Sequence, residues 1–184
     1  MKKILCILLV IVILSGCGSA DGGMEQVLQL RSKLSAGCSF DANITADFGN
    51  KTYSFSLSCN CDGEGNLEFT VRSPESISGI SGTVAAGEGN LTFSDVALSF
   101  ELLADGQLSP VSGPWVMIKA LLGGYITSVG ADGEYCRATI QDSYEESALT
   151  VDIWLDEKSV PAQADILWEN RRILTIAVED FVIG

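Results

Sequence analysis

The chain has 184 residues, with 11 Lys and Arg against 24 Asp and Glu and no histidine, for a net charge of −13. The lack of histidine removes Ser-His-Asp and Cys-His catalysis, His-based zinc sites and histidine pH switching together. The acidic balance argues against nucleic acid, whose affinity comes from Lys and Arg on phosphates, and against adsorption to anionic headgroups.

The chain opens Met1-Lys2-Lys3, runs through an apolar stretch from Ile4 to Leu14 and reaches Leu14-Ser15-Gly16-Cys17. The apolar run is shorter than the roughly 20 residues a permanent membrane helix needs, and suits the apolar core of a signal peptide. The segment resembles the bacterial lipobox. That resemblance implies cleavage before Cys17 and diacylglycerol on its sulfur, so residues 1–16 are a signal peptide and the protein is held on the extracytoplasmic face of a cell membrane. Without the leader's two lysines the net charge of −13 becomes −15, so the lipid must do the holding. Residues 17–23 read as a lipidated tether, and residues 24–184 as one domain.

Met24 to Leu34 carries apolar residues at 24, 27, 28 and 34 between charges, which predicts a short amphipathic helix ending near Gly37. Alternation then takes over. Cys38, Phe40, Ala42, Ile44 and Ala46 interleave with polar residues, and after Gly49-Asn50 the pattern resumes at Tyr53, Phe55, Leu57, Cys59 and Cys61. Glycine at the first central position suits a two-residue type II′ turn. That turn sets Cys38 opposite Cys61 and Ile44 opposite Phe55, with every apolar pair on one face. A slip of one residue would mix the faces.

Further strands are predicted at Asn66–Ser73, Ile80–Ala86, Asn90–Ser94 and Val96–Leu103. Pro114–Ser128 is apolar all round and predicts a buried helix, with Pro114 as start signal and Gly123-Gly124 near the end. Four strands close the chain: Glu134–Asp142, Ala148–Asp156, Ala162–Trp168 and Arg172–Ile183. The fold class is mainly β, with few helices. No βαβ alternation occurs, so the sheet should be antiparallel and curved, its apolar face covered by helices or by its own curl.

This pattern resembles the LolA-like fold of lipoprotein carriers and the GerS-like spore lipoproteins. The likeness rests on Phe69-Thr70-Val71-Arg72-Ser73-Pro74 and Leu91-Thr92-Phe93. Toward the end of the chain it adds Leu155 through Pro161, Ala164-Asp165-Ile166 and Ile176 through Phe181. The resemblance implies a half-open antiparallel barrel of about ten or eleven strands wrapping an apolar helix. The carriers are soluble, however, and a protein tethered by its own lipid cannot ferry cargo across a wide compartment.

With Cys6 and Cys17 set aside, Cys38, Cys59, Cys61 and Cys136 remain. An even number in an exported domain suggests disulfides. Cys38–Cys61 is the register pair, and Cys59–Cys136 the remaining one. Free buried thiols and a metal site are the rivals, though Cys59-x-Cys61 fits zinc spacing poorly. No metal, cofactor or enzymatic activity is expected; paired carboxylates such as Glu145-Glu146 and Asp156-Glu157 fall in wet turns, where desolvation is small.

Two functions are open. One is binding of a lipid or other hydrophobic ligand in a cavity lined by Phe40, Ile44, Phe55, Leu57, Trp115, Ile118 and Tyr125. The other, implied by the GerS-like resemblance, is a ligand-free interaction module for an envelope protein, such as a regulator of a cell-wall enzyme.

Overall fold

The computed structural model describes residues 20–84, 91–93, 103–104, 108–145 and 148–184. The expected signal peptide, Cys17 and most of the strand expected over 96–103 lie outside them. Helix α1 (Ala20–Leu34) starts four residues before Met24, inside the segment read as tether. It leads into the strands β1 (Cys38–Asp47), β2 (Thr52–Cys61), β3 (Leu67–Ser73), β4 (Ser81–Val84) and β5 (Leu91–Phe93). Helix α2 (Gly113–Gly123) follows, then β6 (Tyr125–Asp132), β7 (Tyr135–Gln141), β8 (Thr150–Leu155), β9 (Pro161–Trp168) and β10 (Arg171–Ile183). The strands make one antiparallel sheet in the order β5-β4-β3-β2-β1-β10-β9-β8-β7-β6, with β5 and β6 at its two edges. The expected mainly-β class, an unclosed antiparallel sheet around a helix, is what the chain adopts.

The β1–β2 register is the predicted one throughout, from Asp47 opposite Thr52 to Cys38 opposite Cys61. Gly49 takes φ +84°, which the first position of a type II′ turn requires. Phe48 N–H donates to the Lys51 carbonyl at 2.9 Å, closing the turn. The register then puts Phe40, Ala42, Ile44, Leu57 and Cys59 on the buried face.

The apolar run after Pro114 also differs. The helix predicted over 114–128 stops at Gly123, and Gly124 is extended at φ −69°, ψ 166°. Tyr125 to Ser128 belong to β6, which pairs with β7. Within α2, Val116, Met117, Ile118, Ala120 and Leu121 are all buried, so the helix is the plug the sheet wraps. Arg31 of α1 caps it: the guanidinium donates to the carbonyls of Leu121 at 2.5 Å, Gly124 at 2.9 Å and Ala120 at 3.3 Å. The Ala120 carbonyl also accepts from the Gly124 N–H at 2.8 Å, while Leu121 is among the last carbonyls a helix end leaves without intrahelical partners. Val27, Leu30 and Leu34 of α1 join the same core.

Candidate functional site

Five of the seven residues expected to line a cavity come together in the core. Phe40 is 3 % exposed, Ile44 1 %, Phe55 7 %, Leu57 0 % and Ile118 1 %. A side chain lining a space wide enough for an acyl chain exposes surface to that space. These expose almost none, and they sit in one hydrophobic cluster. Trp115 is half-buried; its Nε1 donates to the Gly65 carbonyl at 3.1 Å, and Lys119 Nζ lies 5.0 Å from its ring centre. It borders a cleft of about 240 Å³ with Leu108, Lys119, Asp142 and Leu149. Tyr125 is not part of the interior. Because α2 ends at Gly123, Tyr125 begins an edge strand, is exposed, and lies against Tyr144 at 3.5 Å between ring centres.

The cysteines divide. Cys38 and Cys61 face each other across β1 and β2, and their thiols hydrogen-bond. Donation from Cys38 pulls the Cys61 thiol below its ordinary pKa, while Cys38 is pushed up. Cys59, a neighbour on the same face, is pushed up by burial. Cys136 lies on β7, with β8, β9, β10 and β1 between its strand and β2. It turns its sulfur to the Gly23 carbonyl of α1, at 3.8 Å. All four are free thiols in the structure, and β7 does not bring Cys136 to Cys59. Among the described residues no group of three or more Cys, Asp or Glu is arranged to hold a metal.

The outer face of the sheet carries a constellation that the sequence reading missed. Asp152 of β8 and Asp165 of β9 are register partners, and both are buried, at 5 % and 6 % exposure, on the face that alternation assigns to water. Arg137 reaches Asp152 Oδ2 at 2.5 Å and Thr139 Oγ1 donates to Asp152 Oδ1 at 2.6 Å. Arg172 reaches Asp165 Oδ2 at 3.3 Å. Arg137 also lies 5.1 Å from the ring centre of Trp154, whose Nε1 donates to Asp132 at 2.9 Å. A shallow groove of about 540 Å³ along β6 and β7 adjoins this row, lined by Val129, Asp132, Arg137 and Thr139 among others. Another of about 180 Å³ lies at its far side, between Arg172, Thr175 and the β1–β2 strands. Arg and Trp are among the side chains enriched at protein-contact surfaces. A signal existed in the sequence: Asp152 and Asp165 hold outward positions of adjacent strands. It becomes legible only once β8 and β9 are in register.

Comparison with known proteins yields no match to a family model and no match among curated proteins. Solved structures do align. An uncharacterized conserved protein from Thermus thermophilus is 10 % identical, covering 89 % of this chain and 88 % of that one, at a TM-score of 0.46. A LolA superfamily protein from Nitrosomonas europaea is 6 % identical, covering 91 % and 94 %, at 0.43. A DUF1329 family protein from Desulfovibrio piger is 8 % identical, covering 90 % and 93 %, at 0.41.

Proposed function

We propose that this chain is an envelope lipoprotein, held on the extracytoplasmic face of a membrane through diacylglycerol on Cys17, whose domain acts as an interaction module. Its partner is another envelope protein, bound on the outer face of β7 to β10. The observation that carries this reading is the outer-face row of Arg137, Asp152, Asp165 and Arg172 beside Trp154, ordered by its own ion pairs before any partner arrives. Preorganised Arg and Trp lower the ordering cost of association. A regulator or partner of a cell-wall enzyme, the role the GerS-like resemblance implies, is a role of this kind.

The test compares the lipidated protein with a Trp154→Ala, Arg172→Ala variant as bait in envelope extracts. The reading predicts a partner recovered reproducibly by the first and lost by the second, with both baits melting cooperatively. Equal recovery by both, or none by either, removes the outer face from consideration.

A second reading, a lipid or hydrophobic ligand inside the sheet, is supported by the half-buried Trp115 at the mouth of the α2 cleft. That cleft, at about 240 Å³, is smaller than the 300–1,000 Å³ usual for ligand pockets.

A further inference from the structure

The start of α1 is pinned to the sheet. At Gly23 a Cβ would stand 2.9 Å from Val129 Cγ1 and 3.1 Å from Cys136 Sγ, so the helix lies against the β6–β7 hairpin closely enough that a larger residue would displace those side chains. A cleft of about 360 Å³ opens beside it, lined by Gly22, Gln26, Gly133, Tyr135 and Asp156 among others. The start of α1 therefore lies beside two turns, β6–β7 and β8–β9. Cys17 is three residues before Ala20, a reach of about 10 Å even at full extension. Ala20 in turn is about 4.5 Å of helix from Gly23.

The outward side of α1 is the second observation. Val27, Leu30 and Leu34 face the core, yet Met24 is 36 % and Leu28 49 % exposed. Spaced four apart, they share one side of the helix, and that stripe begins one turn after the helix start. The opposite end of the sheet is distant. β9 separates the β8–β9 turn from the β9–β10 turn by eight residues, about 25 Å at 3.3 Å each. The β1–β2 turn belongs with that far end, because a Cβ at Gly49 would meet Arg171 at 3.4 Å.

We propose that the lipidated protein stands on the bilayer with the Met24–Leu28 stripe and the β6–β7 and β8–β9 turns against the headgroups. The β1–β2 and β9–β10 turns then point away. This rests on lipidation of Cys17. The surface it fits is zwitterionic: Asp132, Glu134, Asp156 and Glu157 lie at the two turns against Arg137 and Lys158, and a reach of about 15 Å from Cys17 to Gly23 holds them within about two Debye lengths of anionic headgroups that would repel them.

The test is lysine acylation by a water-soluble reagent, read by mass spectrometry residue by residue. Lipidated protein in phosphatidylcholine vesicles is compared with a soluble Cys17→Ser form. Lys158 in the β8–β9 turn is expected to react several-fold more slowly on vesicles, with Lys51 in the β1–β2 turn unchanged. A Met24→Glu, Leu28→Glu variant, changed only at exposed positions, should lose most of that contrast while remaining anchored. Equal slowing of both lysines, slowing of Lys51 alone, or a contrast untouched by the variant overturns the orientation. If the intact mass instead carries no diacylglycerol, the lipidation reading itself has failed, and the orientation with it.

Discussion

Asp152 and Asp165 face each other across β8 and β9 as register partners, both almost fully buried on the outer surface of the sheet. Like charges directly opposite one another in a sheet destabilise it. The pair persists because each carboxylate has an arginine of its own, Arg137 for Asp152 and Arg172 for Asp165.

Arg137→Ala should therefore cost about 1–3 kcal/mol, the range for a hydrogen bond to a charged group whose partner is left buried. Adding Asp165→Asn in that background should recover part of the loss, since the unpaired Asp152 then faces a neutral amide. Urea denaturation of the two variants measures both. A double variant less stable than Arg137→Ala alone would contradict the repulsion argument.

Ile118→Ala removes a side chain 1 % exposed at the centre of α2. A core deletion of this kind typically costs about 2–5 kcal/mol, and that loss is the expected result in thermal and urea melts. A near-neutral effect would mean that Ile118 borders open space, as the cavity reading requires.

The two cysteine pairs separate experimentally. Cys38 and Cys61 are aligned for a bridge closing a loop of about 24 residues, worth about 3 kcal/mol. We expect the exported protein to titrate two free thiols, Cys59 and Cys136, and to lose stability under reductant. A Cys38→Ser, Cys61→Ser variant should not respond to reductant. Four free thiols would remove the bridge, and none would favour the Cys59–Cys136 pairing as well.

Asp62 has a pH signature. Its carboxylate accepts from Asn66 Nδ2 at 2.8 Å and from the backbone N–H groups of Asn66 and Glu64 at 2.9 Å. These bonds, the Asn66 side chain first, hold its pKa below the ordinary carboxylate value. A depressed folded pKa contributes stability that is present above the unfolded value, about 3.9, and is lost as pH falls through the folded one. Urea midpoints below about pH 4 should fall less steeply in Asn66→Ala than in the parent. Parallel slopes would mean that Asp62 contributes nothing.

The hairpin was legible because two independent signals coincide, the Gly49-Asn50 turn chemistry and the period-two alternation on both sides. The end of α2 was not. Its apolar run continues into Tyr125-Ile126, and an apolar edge strand has no periodicity to set it apart from a buried helix. The glycines at 123 and 124 were the better stop signal. Burial of Phe40, Ile44, Phe55, Leu57 and Ile118 was readable from alternation, but whether they line a space or fill it depends on how α2 packs, which no pattern encodes. The Asp152–Asp165 row was hidden for a related reason. Alternation marks a position as outward, whereas burial there comes from side chains on neighbouring strands.

The central claim is that the domain works by its surface and not by holding a ligand in its interior. Native mass spectrometry of the lipidated protein, purified from membranes and released gently, tests it most directly. The account predicts a single mass, that of the chain with its covalent diacylglyceryl group and no further lipid. A stoichiometric adduct of phospholipid mass, retained by a soluble Cys17→Ser form as well, would contradict it.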